Sequence, residues 1–445
     1  MTENAANTEQ WAEEKLPSGF SGADIPSYDD YAHCVHCGLC LNHCPTYKLW
    51  GLEADSPRGR IRQIVLVDQG RLPLGESFVK HIDRCLDCRA CETACPSGVE
   101  YGKLVEAARA QIEQNYKRPF FSRLARDFVF RRLLPHPRRI ATLARALYIY
   151  QRSGLQSLAR ATGILRLLGL EERERLLPPI DSKFFFSQLG RTFPATGHRR
   201  ARVALFAGCV AQVSFSALHE ATIRVLTANG CEVVVPHGQT CCGALAAHAG
   251  VRDAARLQAR VNLDVFLSED FDAIVTNAAG CGSTLKEYEH LFAPGTPEHP
   301  RALSFQKKMR DATEFLDGLG MTAQLKTLPL RVTYQDSCHL LHGQKIREAP
   351  RKLLRAIPGV ELIEMTMADY CCGSAGSYNV TETQTSLELL SEKMKHARAT
   401  GAPVIVTANP GCLLQMRAGA EIHATGQEVV HVIELLDRAL AHPSS

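Results

Sequence analysis

The hydrophobic pattern along the chain falls into two regimes. In the first hundred residues apolar positions recur at helical spacing, as in Arg60-Ile61-Arg62-Gln63-Ile64-Val65-Leu66-Val67. Ser56-Pro57 ahead of that segment supplies an N-cap with proline at the first helical position, so a helix is expected there. From about residue 200 the chain instead carries short aliphatic runs bounded by Gly or Asn, namely 203–206, 273–277, 331–334 and 404–409. Helical segments such as His219–Ala228 and Leu387–Ala399 alternate with them. Runs of this kind predict strands buried in parallel sheets with crossover helices. The fold class expected is therefore multidomain, α followed by α/β. Residues 1–30, polar, acidic and spotted with Gly, Pro and Ser, read as a flexible tail. A helical domain is expected over 31–115, a basic helical connector over 116–200, and α/β units over 201–330 and 331–445.

A chain of 445 residues is long enough for several domains with their own cores. Its formal net charge of +4 gives no reason to expect a nucleic-acid partner. No stretch reaches the length of apolar sequence that spans a bilayer, and no basic start precedes an apolar run as in a signal peptide. A cytoplasmic location is expected, with any membrane contact peripheral or through another subunit.

Seventeen cysteines change the picture. Cys34, Cys37, Cys40 and Cys44 form C-x2-C-x2-C-x3-C before Pro45, and Cys85, Cys88, Cys91 and Cys95 repeat the spacing before Pro96. Such runs hold [4Fe–4S] clusters, three thiolates coming from one tight loop and the fourth from the other motif. Cys34, Cys37, Cys40 and Cys95 are thus expected on one cluster, and Cys85, Cys88, Cys91 and Cys44 on a second. Zinc prefers paired CxxC elements to this triple spacing, and a reducing compartment disfavours disulfides. The 40 residues between the motifs, with their helical pattern, exceed what a compact β-hairpin cluster domain needs.

The α/β half repeats itself. Cys209 precedes Cys241-Cys242-Gly243 by 32 positions and Cys281 follows Cys242 by 39; Cys338 precedes Cys371-Cys372-Gly373 by 33 and Cys412 follows Cys372 by 40. Each set lies where strands are expected to end, which is where open α/β sheets bind ligands. Adjacent cysteines face one site only on a turn, and Gly243 or Gly373 allows one. In the second copy Gly373–Ser377 adds backbone donors. Either quartet could ligate a further, third cluster; the other reading is buried thiols packing as small hydrophobes. His237, His339 and His342 near these cysteines read as structural hydrogen-bonders. Between Tyr116 and Arg152, ten Lys and Arg face a single acid, Asp127, with phenylalanines and leucines interleaved. This fits an anionic membrane surface or an acidic partner, or else an ordinary solvated helix face.

With these motifs in hand, the chain from Tyr31 to Ala441 resembles the iron–sulfur subunit of glycolate oxidase. The resemblance rests on Cys34-Val35-His36-Cys37-Gly38, Ser56-Pro57-Arg58-Gly59-Arg60, Thr93-Ala94-Cys95-Pro96-Ser97-Gly98-Val99 and Cys371-Cys372-Gly373-Ser374-Ala375-Gly376. It implies a helical ferredoxin domain joined to a duplicated Cys-Cys-Gly region similar to that of heterodisulfide reductase. It further implies partner subunits that bear FAD and oxidise glycolate or D-lactate. No Gly-x-Gly-x-x-Gly follows a strand here, which also leaves the flavin to a partner. On this reading the chain relays electrons to a downstream acceptor, a quinone being the expectation, and carries no catalytic residue itself; the alternative is a heterodisulfide reductase-like enzyme subunit. One departure matters: where that relative has CxxC, Cys281 is followed by Thr284 and Cys412 by Gln415.

Overall fold

The computed structural model describes residues 16–441. Its helical part is built from α1 (Pro57–Asp68), α2 (Glu76–Asp83) and α3 (Tyr101–Asn115). Ile61, Ile64 and Val67 of α1, Phe78 and Ile82 of α2, and Leu104, Ala108 and Ile112 of α3 form one apolar core, spaced three or four apart as helical faces require. The expected cap is present: the Gly59 amide donates to Ser56 Oγ at 3.0 Å and Pro57 starts the helix.

The expected flexible tail is a partial correction. Residues 1–15 lie outside the described residues, but Phe20 is buried in the helical core, Gly19 N donates to Val67 O at 2.8 Å, and Ser21 N donates to Gln111 at 2.9 Å. A buried aromatic side chain and two backbone hydrogen bonds hold this polar segment onto the core.

The connector contains α4 (Phe120–Arg126), α5 (Pro137–Arg152), α6 (Leu155–Ala161) and α7 (Ile164–Leu167). Its last part, expected as connector, belongs to the first α/β unit. Ile180 and Phe185 are buried in the cores of that unit, and β1 (Thr192–Phe193) pairs antiparallel with β3 (Cys231–Val234).

The first sheet also holds β2 (Ala201–Leu205), β4 (Ala273–Thr276) and β5 (Met309–Asp311), in the order β1-β3-β2-β4-β5. The second consists of β6 (Leu330–Tyr334), β7 (Val360–Glu364), β8 (Val404–Thr407) and β9 (Glu428–His431), in the order β7-β6-β8-β9. Apart from β1 every pairing is parallel, and β3-β2-β4-β5 in one sheet corresponds to β7-β6-β8-β9 in the other. The duplication read from cysteine spacing is thus a duplication of topology. The central strands β4 and β8 are buried along their whole length, as parallel strands covered on both faces must be.

Candidate functional site

The two amino-terminal cysteine loops share one backbone solution. Two residues after the first cysteine of each, His36 and Asp87 have φ of 55° and 52°; two residues further, Gly38 and Arg89 have φ of 86° and 60°. These left-handed turns bring three side chains of a C-x2-C-x2-C run to one side. For Arg89 the conformation is costly, roughly 1–2 kcal/mol for a residue with a Cβ. Its guanidinium is anchored by Glu287 at 2.5 Å and Glu106 at 3.5 Å.

The fourth cysteines cross over. Cys34, Cys37, Cys40 and Cys95 line one cavity; Cys44, Cys85, Cys88 and Cys91 line a second, and Cys91, Pro57 and Tyr101 lie on the walls of both. The Ser-Pro-Arg-Gly-Arg segment braces the pair. Arg58 donates to the His36 carbonyl at 3.1 Å, holding the first loop. Gly59 is needed because a Cβ there would stand 1.8 Å from the Glu53 carbonyl oxygen. Arg60, fully buried, donates to Thr46 Oγ1 at 3.2 Å and to the His81 carbonyl at 2.7 Å, and Thr46 Oγ1 lies 3.2 Å from Cys44 Sγ.

The donors suit iron–sulfur ligation. Burial pushes the Cys88 and Cys91 thiols well above the ordinary thiol range, and raises those of Cys34 and Cys40. Such sulfurs become thiolates only when a metal takes the proton's place. Buried Arg60, and Arg109, which donates to the Cys85 carbonyl, bring positive charge to the site. Asp87 N and Tyr101 Oη donate to Cys85 Sγ at 3.4 and 3.6 Å.

The repeat cysteines gather as well. In the first repeat the sulfurs of Cys209, Cys241, Cys242 and Cys281 contact one another in that order; in the second, Cys338, Cys371, Cys372 and Cys412 do the same. Each set comes from the carboxyl ends of three neighbouring strands, β2, β3, β4 and β6, β7, β8. The turns are as expected. Gly243 and Gly373 have φ of 84° and 87°, and Gly373 N donates to Cys371 Sγ at 3.4 Å. Contact with Cys371, together with burial, pushes the Cys372 thiol up to about 12; Cys209 and Cys412 are raised further by their contacts with Cys241 and Cys372 and by burial.

Both quartets line a single cleft of about 720 Å³. The second amino-terminal site abuts it: Cys88 packs with Cys338, Cys371 and Tyr370 in one buried cluster. His339 lines the cleft with Nδ1 3.4 Å from Cys338 Sγ, and burial holds it neutral, its pKa lowered to about 3. His342 bonds Thr93 Oγ1 at 2.9 Å, while His237 is exposed away from the site.

His248 was not legible as a site residue. It lines the cleft, with Nδ1 2.8 Å from Glu106 and 3.1 Å from Asp87. Against burial, which opposes it, hydrogen bonds to these carboxylates raise its pKa to about 9, and both acids are correspondingly lowered. Its partners lie more than a hundred residues away, and no local pattern marks them.

Comparison with known proteins follows the same divisions. Residues 30–99 match the 4Fe-4S dicluster domain, 121–177 the linker region of the glycolate oxidase iron-sulfur subunit, and 203–286 and 332–417 the cysteine-rich CCG domain. The probable glycolate oxidase iron-sulfur subunit of Bacillus subtilis is 42% identical over 421 residues, spanning 93% of this chain and 95% of that one. The glycolate oxidase iron-sulfur subunit of Escherichia coli is 32% identical over 414 residues, 92% of this chain and 93% of that one. The chain belongs to the glycolate oxidase iron–sulfur subunit family. As a member it is an iron–sulfur electron-transfer subunit with a helical cluster domain and a duplicated Cys-Cys-Gly region. Lactate utilization protein A of Oceanobacillus iheyensis is 32% identical over 239 residues, 53% of this chain and 96% of its own. The family chain described here fills the fifth-thiolate positions otherwise. Thr284 is buried in the helix Ala279–Leu285, and Gln415 donates to Ser386 Oγ at 2.9 Å while accepting from Asn379.

Proposed function

We propose that this chain carries electrons from FAD-bearing partner subunits, which oxidise glycolate or D-lactate, to a quinone-type acceptor at the cytoplasmic face of the membrane. The observation that carries the reading is continuity. The first thiol cavity shares walls with the second, the second packs against the Cys371 side of the second repeat, and both repeats open on one cleft. In this reading Cys34, Cys37, Cys40 and Cys95 hold one [4Fe–4S] cluster, Cys44, Cys85, Cys88 and Cys91 a second, and the Cys338 quartet, the Cys209 quartet, or both hold a further cluster of four thiolates. Bound clusters supply one-electron carriers that divide the two electrons of a reduced flavin into single steps.

The chain's own residues shape that task. Burial of Cys88 and Cys91 excludes water from the thiolates, and the guanidinium groups of Arg60 and Arg109 bring balancing positive charge. Tyr370, packed with Cys88 and Cys371 in one buried cluster, helps keep water out of the passage between domains. Disulfide reduction in the manner of heterodisulfide reductase finds less support, because Gln415 is engaged in a structural hydrogen-bond network where that reading needs a fifth thiolate.

The test is to mix the flavin partners with 2-hydroxy acid in the presence and absence of this chain. Substrate should reduce the flavin in both cases, while acceptor reduction requires this chain. Normal acceptor turnover without it would overturn the proposal.

A further inference from the structure

Half of the large apolar side chains that stand exposed among the described residues fall between 120 and 170. Helix α5 shows why this is unusual. Ile140, Ala144 and Leu147 already form the stripe that packs on the first repeat, which is all the apolar surface a surface helix needs. On another side it carries a second stripe, Leu143, Ala146 and Ile149, open to solvent. Helix α6 adds exposed Leu155 and Leu158, and α7 adds Ile164 and Leu167, the last 86% exposed. Helix α4 repeats the division. Ser122, Ala125 and Arg126 line the cleft between the cysteine quartets, whereas Phe120, Leu124 and Phe121, the last 80% exposed, point elsewhere.

Positive charge travels with these faces. Residues 117–168 hold twelve Lys and Arg and the single acid Asp127. The structure sorts them. Arg118 and Arg126 pair with Glu113, Arg131 and Arg132 with Asp127, Arg160 with Glu174, and Arg166 with Glu171. Among the described residues, Lys117, Arg123, Arg138, Arg139, Arg145 and Arg152 are exposed and make no carboxylate ion pair. Large apolar side chains interleaved with unpaired cations, almost free of acids, match an anionic leaflet. There the acyl boundary takes the apolar groups and the headgroups take the charge. A protein partner would have to supply both a wide apolar surface and an acidic rim.

We infer that α4 to α7 dock this chain on an anionic phospholipid surface. Because α4 and residues 173–178 also wall the cleft, docking holds the cleft of the repeats beside the lipid phase, where a lipid-dissolved acceptor resides. That last consequence rests on the relay reading; the docking itself does not.

The experiment is co-sedimentation of the full chain, purified anaerobically, with vesicles of phosphatidylcholine mixed with phosphatidylglycerol and with vesicles of phosphatidylcholine alone, without substrate, flavin or acceptor. Binding to the mixed vesicles, weakening as salt rises, is expected, with little binding to phosphatidylcholine alone. Each cation at an anionic surface is worth about a fivefold change, so Arg123→Gln, Arg138→Gln and Arg145→Gln together should weaken partition about a hundredfold. The matched variant Arg131→Gln, Arg132→Gln and Arg160→Gln removes cations that are already neutralised and should change it far less. A second set, Leu143→Ser, Ile149→Ser, Leu158→Ser and Leu167→Ser, removes insertion from exposed positions. Iron content, measured on every variant, reports the cluster domain separately, so loss of the relay and loss of docking are read apart. Absence of binding to mixed vesicles, or equal weakening by the two arginine sets, would overturn the inference, and the first result would leave these faces to an acidic protein partner.

Discussion

Asp55→Ala should loosen the cluster domain far more than an average substitution. Asp55 is fully buried, and its carboxylate is shared by Arg60 at 3.4 Å, His81 Nδ1 at 2.9 Å and Arg84 at 3.4 Å. Arg60 is equally buried. Removing one side of such a pair strands the other charge away from water, which costs about 3–5 kcal/mol. With a urea m-value of about 2 kcal/mol/M for a domain of this size, the midpoint should fall by roughly 1.5–2.5 M. The freed guanidinium also holds Thr46 beside Cys44 and the carbonyl of His81, so iron should be lost along with stability. Trp50 offers the probe, since Arg84 lies over its ring with 4.6 Å to the centroid. Anaerobic urea titrations would follow its fluorescence and the cluster absorbance together. The double variant Asp55→Leu with Arg60→Met removes both charges and should recover part of the loss. What is not recovered reflects groups left unpaired: the His81 carbonyl, which loses Arg60, and His81 Nδ1 and Arg84, which lose the carboxylate. A single variant whose midpoint lies within about 0.3 M of the parent, or a double variant no better than the single, would refute the argument that this pair is locked by desolvation.

Changing Cys95→Ala should damage the cluster nucleated by Cys34, Cys37 and Cys40, because those four line one cavity; resonance spectra that instead lose only the signal of the Cys85 loop would show the assignment to be uncrossed. For His248 the sign follows from a folded pKa of about 9 above the ordinary 6.5: its stabilisation is fully present below pH 6.5 and is lost as pH rises through 9. Thermal melts at pH 6 and pH 9 should therefore differ by up to about 3 kcal/mol in the parent and by clearly less in His248→Gln, in which Asp87, Glu106, Arg89 and His339 still face the site; identical pH dependence would sink the idea. Gly373→Ala forces a Cβ to 2.5 Å from the Ser386 carbonyl oxygen at a φ of 87°, a clash added to the 1–2 kcal/mol, roughly, of the left-handed turn itself. It should empty the second repeat of iron while the amino-terminal signals persist, and unchanged iron content would reduce that quartet to packing.

Sequence alone settled everything that depends on local spacing. Two C-x2-C-x2-C loops place thiols by turn geometry within seven residues. Ser56-Pro57 starts a helix by capping, and the aliphatic runs at 273–277 and 404–409, short, β-branched and bounded by Asn, fit buried parallel strands. Even the duplication was legible, since the two cysteine sets recur at spacings that differ by a single residue, and the strand orders of the two sheets correspond. The positions of Phe20 and β1 were not legible, because each is held by a partner distant in sequence and neither carries a pattern of its own. The same holds for the arginines of the connector: composition shows twelve cations, but only the fold decides which six meet a carboxylate. His248 is the sharpest case. Ala244–His248 is a short, ordinary helix, and its terminal, half-buried imidazole becomes a cation only because α3 and the Cys85 loop deliver Glu106 and Asp87 to it. Charge is a property of what surrounds a group in space, so it is decided when the domains pack and not before.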